Sequence, residues 1–225
     1  MIYVTGDTHG DIGRFKSKEI KKLKKNDVLI VCGDFGFVWD GSKKEQKILR
    51  WLGKRKYQVL FCEGTHDNLD LLAQRPVVDF CGGKARQVDG KCMQLLRGEI
   101  YTIESDTIFV FGGGETADVD DRTQGITWWA QELPSQEEMA YARGNLNKQG
   151  NVVDYIITHE ASATICGFLD MESFHTNHLN AFLDEVAGSV RYKQWFFGRY
   201  HQDKVIPPLY RALYQQIVPL KANLK

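Results

Sequence analysis

Short apolar runs recur along the 225-residue chain, separated by polar and charged segments. Six of these runs are rich in β-branched or aromatic residues and end at glycine or a polar residue, a pattern typical of buried strands. The six predicted strands are Ile2–Thr5, Val28–Cys32, Gln58–Cys62, Ile108–Phe111, Tyr155–Thr158 and Gln194–Phe197.

Helical periodicity occurs between some of these strands. Segment 12–23 places its apolar residues on one face of a predicted helix, and its lysines indicate a solvated opposite face. Segment 179–186 follows the i, i+3, i+4, i+7 rule. Ser135 begins a capping box, which predicts a helix through about Lys148.

The order of the elements predicts the fold class. Strands and helices alternate in the first half, whereas segment 87–111 is predicted as consecutive strands and segment 212–218 as a final edge strand. The prediction is an α/β fold in which two mixed β-sheets pack as a sandwich with helices on the outside. The length favours a single domain spanning residues 1–225.

Composition narrows the function classes. Lysine plus arginine and aspartate plus glutamate number 29 each, so no net field favours a membrane surface or a long nucleic-acid substrate. No apolar run approaches the roughly 20 residues that span a bilayer. The five cysteines contain no C-x-x-C pair, which is simplest to explain by a reducing cytoplasm.

Aspartate and histidine follow five of the predicted strands directly. A single such residue is usually structural, but five in order favour a common site at the carboxyl ends of the strands. Mixed carboxylate and imidazole ligands suit a divalent transition metal such as manganese, iron, zinc or nickel. The residues are Asp7 and His9, Asp34, His66 and Asp67, His159, and His201.

The order of these motifs resembles that of the calcineurin-like metallophosphoesterases. That family carries Asp-x-His, Gly-Asp, Gly-Asn-His-Asp/Glu, a strand-end His, and Gly-His-x-His. The resemblance extends from residue 1 to about residue 203 and implies the metallophosphoesterase fold and a phosphoester substrate. The matching segments are Asp7-Thr8-His9, Gly33-Asp34, Gly64-Thr65-His66-Asp67, His159 and Gly198-Arg199-Tyr200-His201.

The resemblance also implies roles for these residues. One metal would be held by Asp7, His9, Asp34 and His201, and a second by Asp34, His159 and the positions of Thr65 and Arg199. Paired with Asp67, His66 is similar to the family residue that protonates the leaving group.

Two departures from the family pattern fall on the second metal site. Thr65 replaces asparagine, and its hydroxyl ligates poorly unless deprotonated. Arg199 replaces histidine, and a guanidinium has no lone pair to give. Two interpretations of Arg199 stay open: it clamps a substrate phosphate, with Thr65 beside it, or it forms an ion pair with Asp34 or Glu160 in place of the metal.

Two functions are therefore considered. The first is metal-dependent hydrolysis of a phosphomonoester or phosphodiester, with metal-activated water as nucleophile and His66 as general acid. The alternative is a catalytically impaired relative that binds a phosphorylated ligand or partner without turnover.

Overall fold

The computed structural model describes residues 1–169 and 176–221. Its strands form one seven-stranded and one six-stranded sheet, and both sheets are mixed. The strands are β1 (Ile2–Thr5), β2 (Val28–Cys32), β3 (Gln58–Cys62), β4 (Val77–Phe80), β5 (Gly83–Asp89), β6 (Cys92–Leu95), β7 (Glu99–Ile103), β8 (Asp106–Phe111), β9 (Tyr155–Thr158), β10 (Gln194–Phe197), β11 (Lys204–Ile206), β12 (Tyr210–Ala212) and β13 (Ile217–Pro219).

The helices connect or flank these strands. None among the described residues is long and apolar enough to cross a membrane. They are α1 (Lys18–Lys21), α2 (Lys43–Gly53), α3 (Leu69–Ala73), α4 (Gln136–Lys148), α5 (Ala163–Cys166) and α6 (His178–Ser189), with 3-10 turns at Arg14–Lys16, Val119–Asp121, Ala130–Glu132 and Gly167–Leu169.

Parallel strands lie at the centre of each sheet. The seven-stranded sheet runs β13-β1-β2-β3-β6-β5-β4, and the six-stranded sheet runs β11-β12-β10-β9-β8-β7. β1, β2 and β3 are parallel neighbours, as are β8, β9 and β10, so within each set the carboxyl ends lie at one edge. The predicted α/β sandwich of two mixed sheets is confirmed, as are all six predicted strands.

Apolar side chains fill both faces of the two sheets. Ile30 of β2 and Ile157 of β9 belong to the same buried cluster between the sheets. Leu29 points to the opposite face and packs with Leu49 of α2, while Phe109 packs beneath α4 and α6. Because central strands are covered on both sides, they appear in the sequence as continuous apolar runs.

The predicted helix over segment 12–23 is not continuous. A 3-10 turn at Arg14–Lys16 is followed by the four-residue α1. The break comes at Ser17, which has an extended backbone and accepts the Ile20 N–H at its hydroxyl as the N-cap of α1. By contrast, the capping box at Ser135 and the helix after it are confirmed in α4.

The predicted final strand over segment 212–218 is interrupted. Only Ile217–Pro219 forms an edge strand, antiparallel to β1. The Asp203 carboxylate accepts backbone N–H groups from Tyr214, Gln215 and Gln216, and this turn separates β12 from β13.

Candidate metal centre

The loops that follow β1, β2, β3, β9 and β10 converge at one end of the sandwich. Their carboxylate and imidazole groups form three overlapping sets, and within each set the possible ligand atoms lie within 4.8 Å of one another. The sets are Asp7, His9 and His201; Asp7, Asp34 and His159; and His9, Asp34 and His66.

The backbone at this site adopts conformations that are uncommon for residues with a side chain. Positive φ angles occur at His9 (45°), Asp34 (40°), Arg199 (56°) and His201 (49°). Each costs on the order of 1–3 kcal/mol, and such residues concentrate at functional sites. Gly64 is required by the close approach of Asp34, because a Cβ at Gly64 would lie 2.0 Å from Asp34 Oδ1.

Asp7, Asp34 and His159 form the buried part of the cluster. His159 Nδ1 lies 3.5 Å from Asp7 Oδ1, and His159 Nε2 lies 3.4 Å from Asp34 Oδ1. Asp7 Oδ2 and His159 Nε2 are buried without a hydrogen-bond partner among the described residues. Buried polar atoms without partners are costly, so this donor set fits a bound cation.

Electrostatics support the same interpretation. Burial opposes the charge on Asp7 and Asp34, but the nearby His159 holds the pKa of both carboxyls below the usual value. Burial also disfavours charge on His159, yet the two carboxylates raise its pKa to about 9. Protonated His159 therefore offsets the charge of the two buried carboxylates, and a bound cation would supply positive charge at the same place.

His9 and His201 complete the exposed side of the cluster. Their Nε2 atoms lie 2.8 Å apart, and His201 Nε2 lies 3.3 Å from Asp7 Oδ2. Burial lowers the pKa of His9, which favours the neutral imidazole that can ligate a metal. The four residues that the resemblance assigns to the first metal are thus brought together in the structure: Asp7, His9, Asp34 and His201.

His66 lies against Asp34. Its Nδ1 is 2.8 Å from Asp34 Oδ2, and its backbone N–H donates to Asp34 Oδ1 at 2.7 Å. The hydrogen bond to Asp34 raises the pKa of His66. Thr65 Oγ1 lies 3.2 Å from the same imidazole nitrogen, so Thr65 also borders this part of the site.

The prediction that His66 pairs with Asp67 is wrong, because the carboxylate that contacts His66 is that of Asp34. The buried Asp67 carboxylate instead accepts backbone N–H groups from Gly36 at 2.8 Å, Gly64 at 3.0 Å and Phe35 at 3.2 Å. Burial, followed by the charge of Asp34, raises the pKa of Asp67 to about 7. Asp67 therefore joins the loops after β2 and β3, and Asp34 is the carboxylate that contacts His66.

Arg199 forms an ion pair with Glu160, which was one of the two interpretations of this residue from the sequence. Its Nε lies 2.8 Å from Glu160 Oε2, and its Nη2 donates a close hydrogen bond to the Glu115 carbonyl. Burial opposes the charge on Arg199, but Glu160 raises its pKa. A Cβ at Gly114 would lie 2.7 Å from Arg199 Nη1 and 3.0 Å from Thr65 Cγ2, so these two side chains border one space.

Sequence reasoning named Glu160 as a possible partner of Arg199 but missed the groups that hold Glu160. The hydroxyl of Tyr200 donates a close hydrogen bond to Glu160 Oε1 and lies 3.0 Å from Cys166 Sγ. The only signal for Tyr200 in the sequence was its position next to Arg199. No signal indicated Arg122, which reaches the site from a loop and pairs with Asp118 at 2.8 Å.

A cavity of about 310 Å³ opens beside the cluster. Its wall carries two guanidinium groups, two imidazoles and three carboxylates. One of the carboxylates, Asp118, is paired with Arg122, and the guanidinium groups are suitable partners for a phosphate next to a metal. Lining residues include Asp34, Thr65, His66, Arg122, Arg199 and His201.

Comparison with known proteins agrees with this geometry. A family profile described as calcineurin-like phosphoesterase matches residues 1–201. The matched region contains every residue of the three ligand sets. No curated protein matches the chain.

Proposed function

The chain belongs to the calcineurin-like phosphoesterase family, and from this premise we propose that it hydrolyses a phosphate monoester or diester. Asp7, His9, Asp34 and His201 would hold the metal. The observation that carries the proposal is the convergence of two buried carboxylates, Asp7 and Asp34, with four imidazoles, in which Asp7 Oδ2 lacks a hydrogen-bond partner in the described chain. His159, whose Nε2 has no hydrogen-bond partner among the described residues, would be a further ligand on the buried side of the same cluster.

The metal and the protein have separate tasks. A bound manganese, iron, zinc or nickel ion would supply the Lewis acidity that activates water for attack on phosphorus. His66 would protonate the leaving oxygen, since its hydrogen bond to Asp34 raises the pKa of the imidazole and so favours the protonated form. Asp34 orients the His66 ring through Nδ1, which leaves Nε2 for the substrate. Asp67 would act only as a positioning residue, through the loop N–H groups it accepts.

Arg199 and Thr65 would bind the phosphate. The contacts of Arg199 with Glu160 and the Glu115 carbonyl fix the plane of the guanidinium at the cavity wall. A fixed guanidinium matches two phosphate oxygens and would supply positive charge where the family has a second metal. The Thr65 hydroxyl borders the same space and would donate one further hydrogen bond.

The ion pair between Arg199 and Glu160 is also an observation in favour of the second function, in which the protein binds a phosphorylated ligand without turnover. Glu160 neutralises part of the charge that Arg199 would offer to a transition state, and two ligands of the second metal are replaced. The two functions differ in whether bound metal is accompanied by hydrolysis.

The test measures metal content and turnover on the same preparation. Protein purified without a tag or chelator is analysed for metal per chain, and p-nitrophenyl phosphate and bis(p-nitrophenyl) phosphate are assayed in parallel. We expect one ion per chain with turnover, and a fall in kcat of about 10²- to 10⁴-fold in His66→Ala with the metal retained.

Each other outcome has a defined meaning. Two ions per chain would refute the proposed replacement of the second metal by Arg199. Metal without hydrolysis would favour the binding function. Loss of the metal in His66→Ala would show that His66 is a ligand and not the proton donor.

A further inference from the structure

A second, larger cavity adjoins the candidate metal centre. It has a volume of about 600 Å³, which falls within the range of small-molecule sites, about 300–1,000 Å³. Segment 115–117, Arg199 and Tyr200 line both this cavity and the 310 Å³ cavity beside the metal ligands. The two cavities are therefore compartments of one cleft, with the Arg199 guanidinium at their boundary.

The outer compartment has an apolar and aromatic wall. Trp128, Val119 and Leu133 line it, and the half-buried Trp128 indole makes no hydrogen bond to the described residues. The adjacent Trp129 is buried, donates to Asp70 at 2.9 Å and so anchors this segment. The backbone that carries Trp128 is thus anchored by its neighbour, and a half-buried indole at a cavity wall is a suitable stacking platform.

Apart from Trp128, the polar side chains of this wall already have hydrogen-bond partners within the protein. Asn177 Nδ2 donates to Glu115 Oε2 at 2.9 Å, and Asn180 Nδ2 donates to the Ala161 carbonyl at 2.9 Å. Both oxygens of Glu160 are used by Arg199 and Tyr200. A ligand in this compartment would therefore be recognised mainly by apolar contact and stacking.

We propose that the outer compartment binds the organic group of the substrate, and that this group is a planar aromatic ring stacked on Trp128. The proposal rests on the proposed function, because the phosphate of the same molecule would lie in the inner compartment against Arg199. It identifies the substrate class as a small aryl or nucleoside phosphoester, whereas an alkyl phosphoester would leave the compartment unfilled.

The kinetic test keeps the leaving group constant. The substrates are the 2,2,2-trifluoroethyl diesters of methyl phosphate, benzyl phosphate and thymidine 5′-phosphate, so only the second organic group changes and the methyl ester contains no ring. We expect kcat/KM to be about tenfold higher for one or both aromatic esters than for the methyl ester. The benzyl and thymidine arms distinguish an aryl from a nucleoside ligand.

Variants connect this preference to the stacking platform. Trp128→Ala should bring the aromatic-to-methyl ratio of kcat/KM close to one, and Trp128→Phe should retain most of the ratio. The matched control is Trp51→Ala on α2, an indole that stacks with Arg55 and lines neither compartment. Its ratio should equal that of the wild type.

A binding measurement separates this inference from the proposed function. Calorimetry with methylphosphonate and with naphthylmethylphosphonate, neither of which has an ester to hydrolyse, should give at least about tenfold tighter binding of the naphthyl compound. Trp128→Ala should abolish that difference. Equal binding of the two phosphonates, or a ratio unchanged by Trp128→Ala, overturns the inference even if p-nitrophenyl esters are hydrolysed. Tighter naphthyl binding without any hydrolysis supports the aromatic compartment and refutes the proposed hydrolase.

Discussion

Arg199→His is the substitution that would restore the family's ligand at the second metal site. It removes the Nε contact of 2.8 Å with Glu160, whose side chain is only 4% exposed. A buried charge left without its partner typically costs about 3–5 kcal/mol. We expect the lower end, about 3 kcal/mol, because the Tyr200 hydroxyl and the Ala161 N–H still donate to Glu160 Oε1. The positive φ of 56° at this position adds little, since histidine tolerates it better than most residues.

Metal binding should restore much of the free energy of unfolding that Arg199→His loses. An ion that binds only the folded state at about 100 times its Kd contributes about 2.7 kcal/mol. The assay is urea denaturation of wild type and variant, with and without manganese, together with metal content per chain. We expect the variant to be less stable than wild type without metal, close to it with manganese, and to hold one additional ion.

Glu160→Gln provides the control for this experiment. Combined with Arg199→His it removes the unpaired carboxylate, so the double variant should be more stable without metal than Arg199→His alone. If Arg199→His binds no additional ion and manganese does not recover its stability, Arg199 is not what prevents a second metal. The loss of asparagine at Thr65 would then be the dominant defect.

Two further predictions concern ion pairs away from the metal ligands. Arg97→Met should cost about 3–5 kcal/mol in urea denaturation, because it leaves the buried Glu63 carboxylate, 2.5 Å from Arg97 Nε, without a counter-charge. Adding Glu63→Gln to Arg97→Met should recover most of the lost stability. A double variant as unstable as Arg97→Met alone would contradict the assignment of the cost to the unpaired Glu63 carboxylate. Burial works against the charge on Asp154, but Lys193 and Thr107 lower the pKa of this carboxyl in the folded protein. Ionised Asp154 therefore stabilises the fold fully above the unfolded pKa of about 4, and this stabilisation is lost as the pH falls through the folded pKa. Asp154→Asn should therefore cost about 1 kcal/mol or less at pH 7 in urea denaturation, and an equal cost below pH 4 would refute the linkage.

The strands were predictable because central strands of a sandwich carry apolar residues on both faces. Every residue of β2 is buried, as is typical of a central strand, and the carboxyl ends of such strands then determine where the candidate ligands lie. Prediction failed where hydrogen bonds from side chains to the backbone overrode the apolar pattern. Ser17 breaks the helix over segment 12–23, and Asp203 interrupts the last strand from 11 to 13 residues upstream.

The partners of the site residues were less predictable than the residues themselves. The family resemblance implied Asp67 as the partner of His66, but the side chains of these consecutive loop residues diverge. Asp67 points into the protein to accept three backbone N–H groups, while Asp34, from a neighbouring strand, reaches the imidazole. Which carboxylate meets which imidazole depends on backbone geometry, including the positive φ of Asp34.

Arg97 and Arg199 show why an arginine cannot be interpreted from its sequence position alone. Both follow a strand and both are paired with a glutamate that the chain supplies from elsewhere, Glu63 for Arg97 and Glu160 for Arg199. The side chain of Arg97 is 6% exposed and makes its contacts inside the protein, so its role is to hold loops together. The side chain of Arg199 is 22% exposed and lines both compartments of the cleft. A guanidinium that is fixed on one side and open to a cavity on the other can still meet a phosphate, and this difference in exposure makes Arg199 the arginine to test.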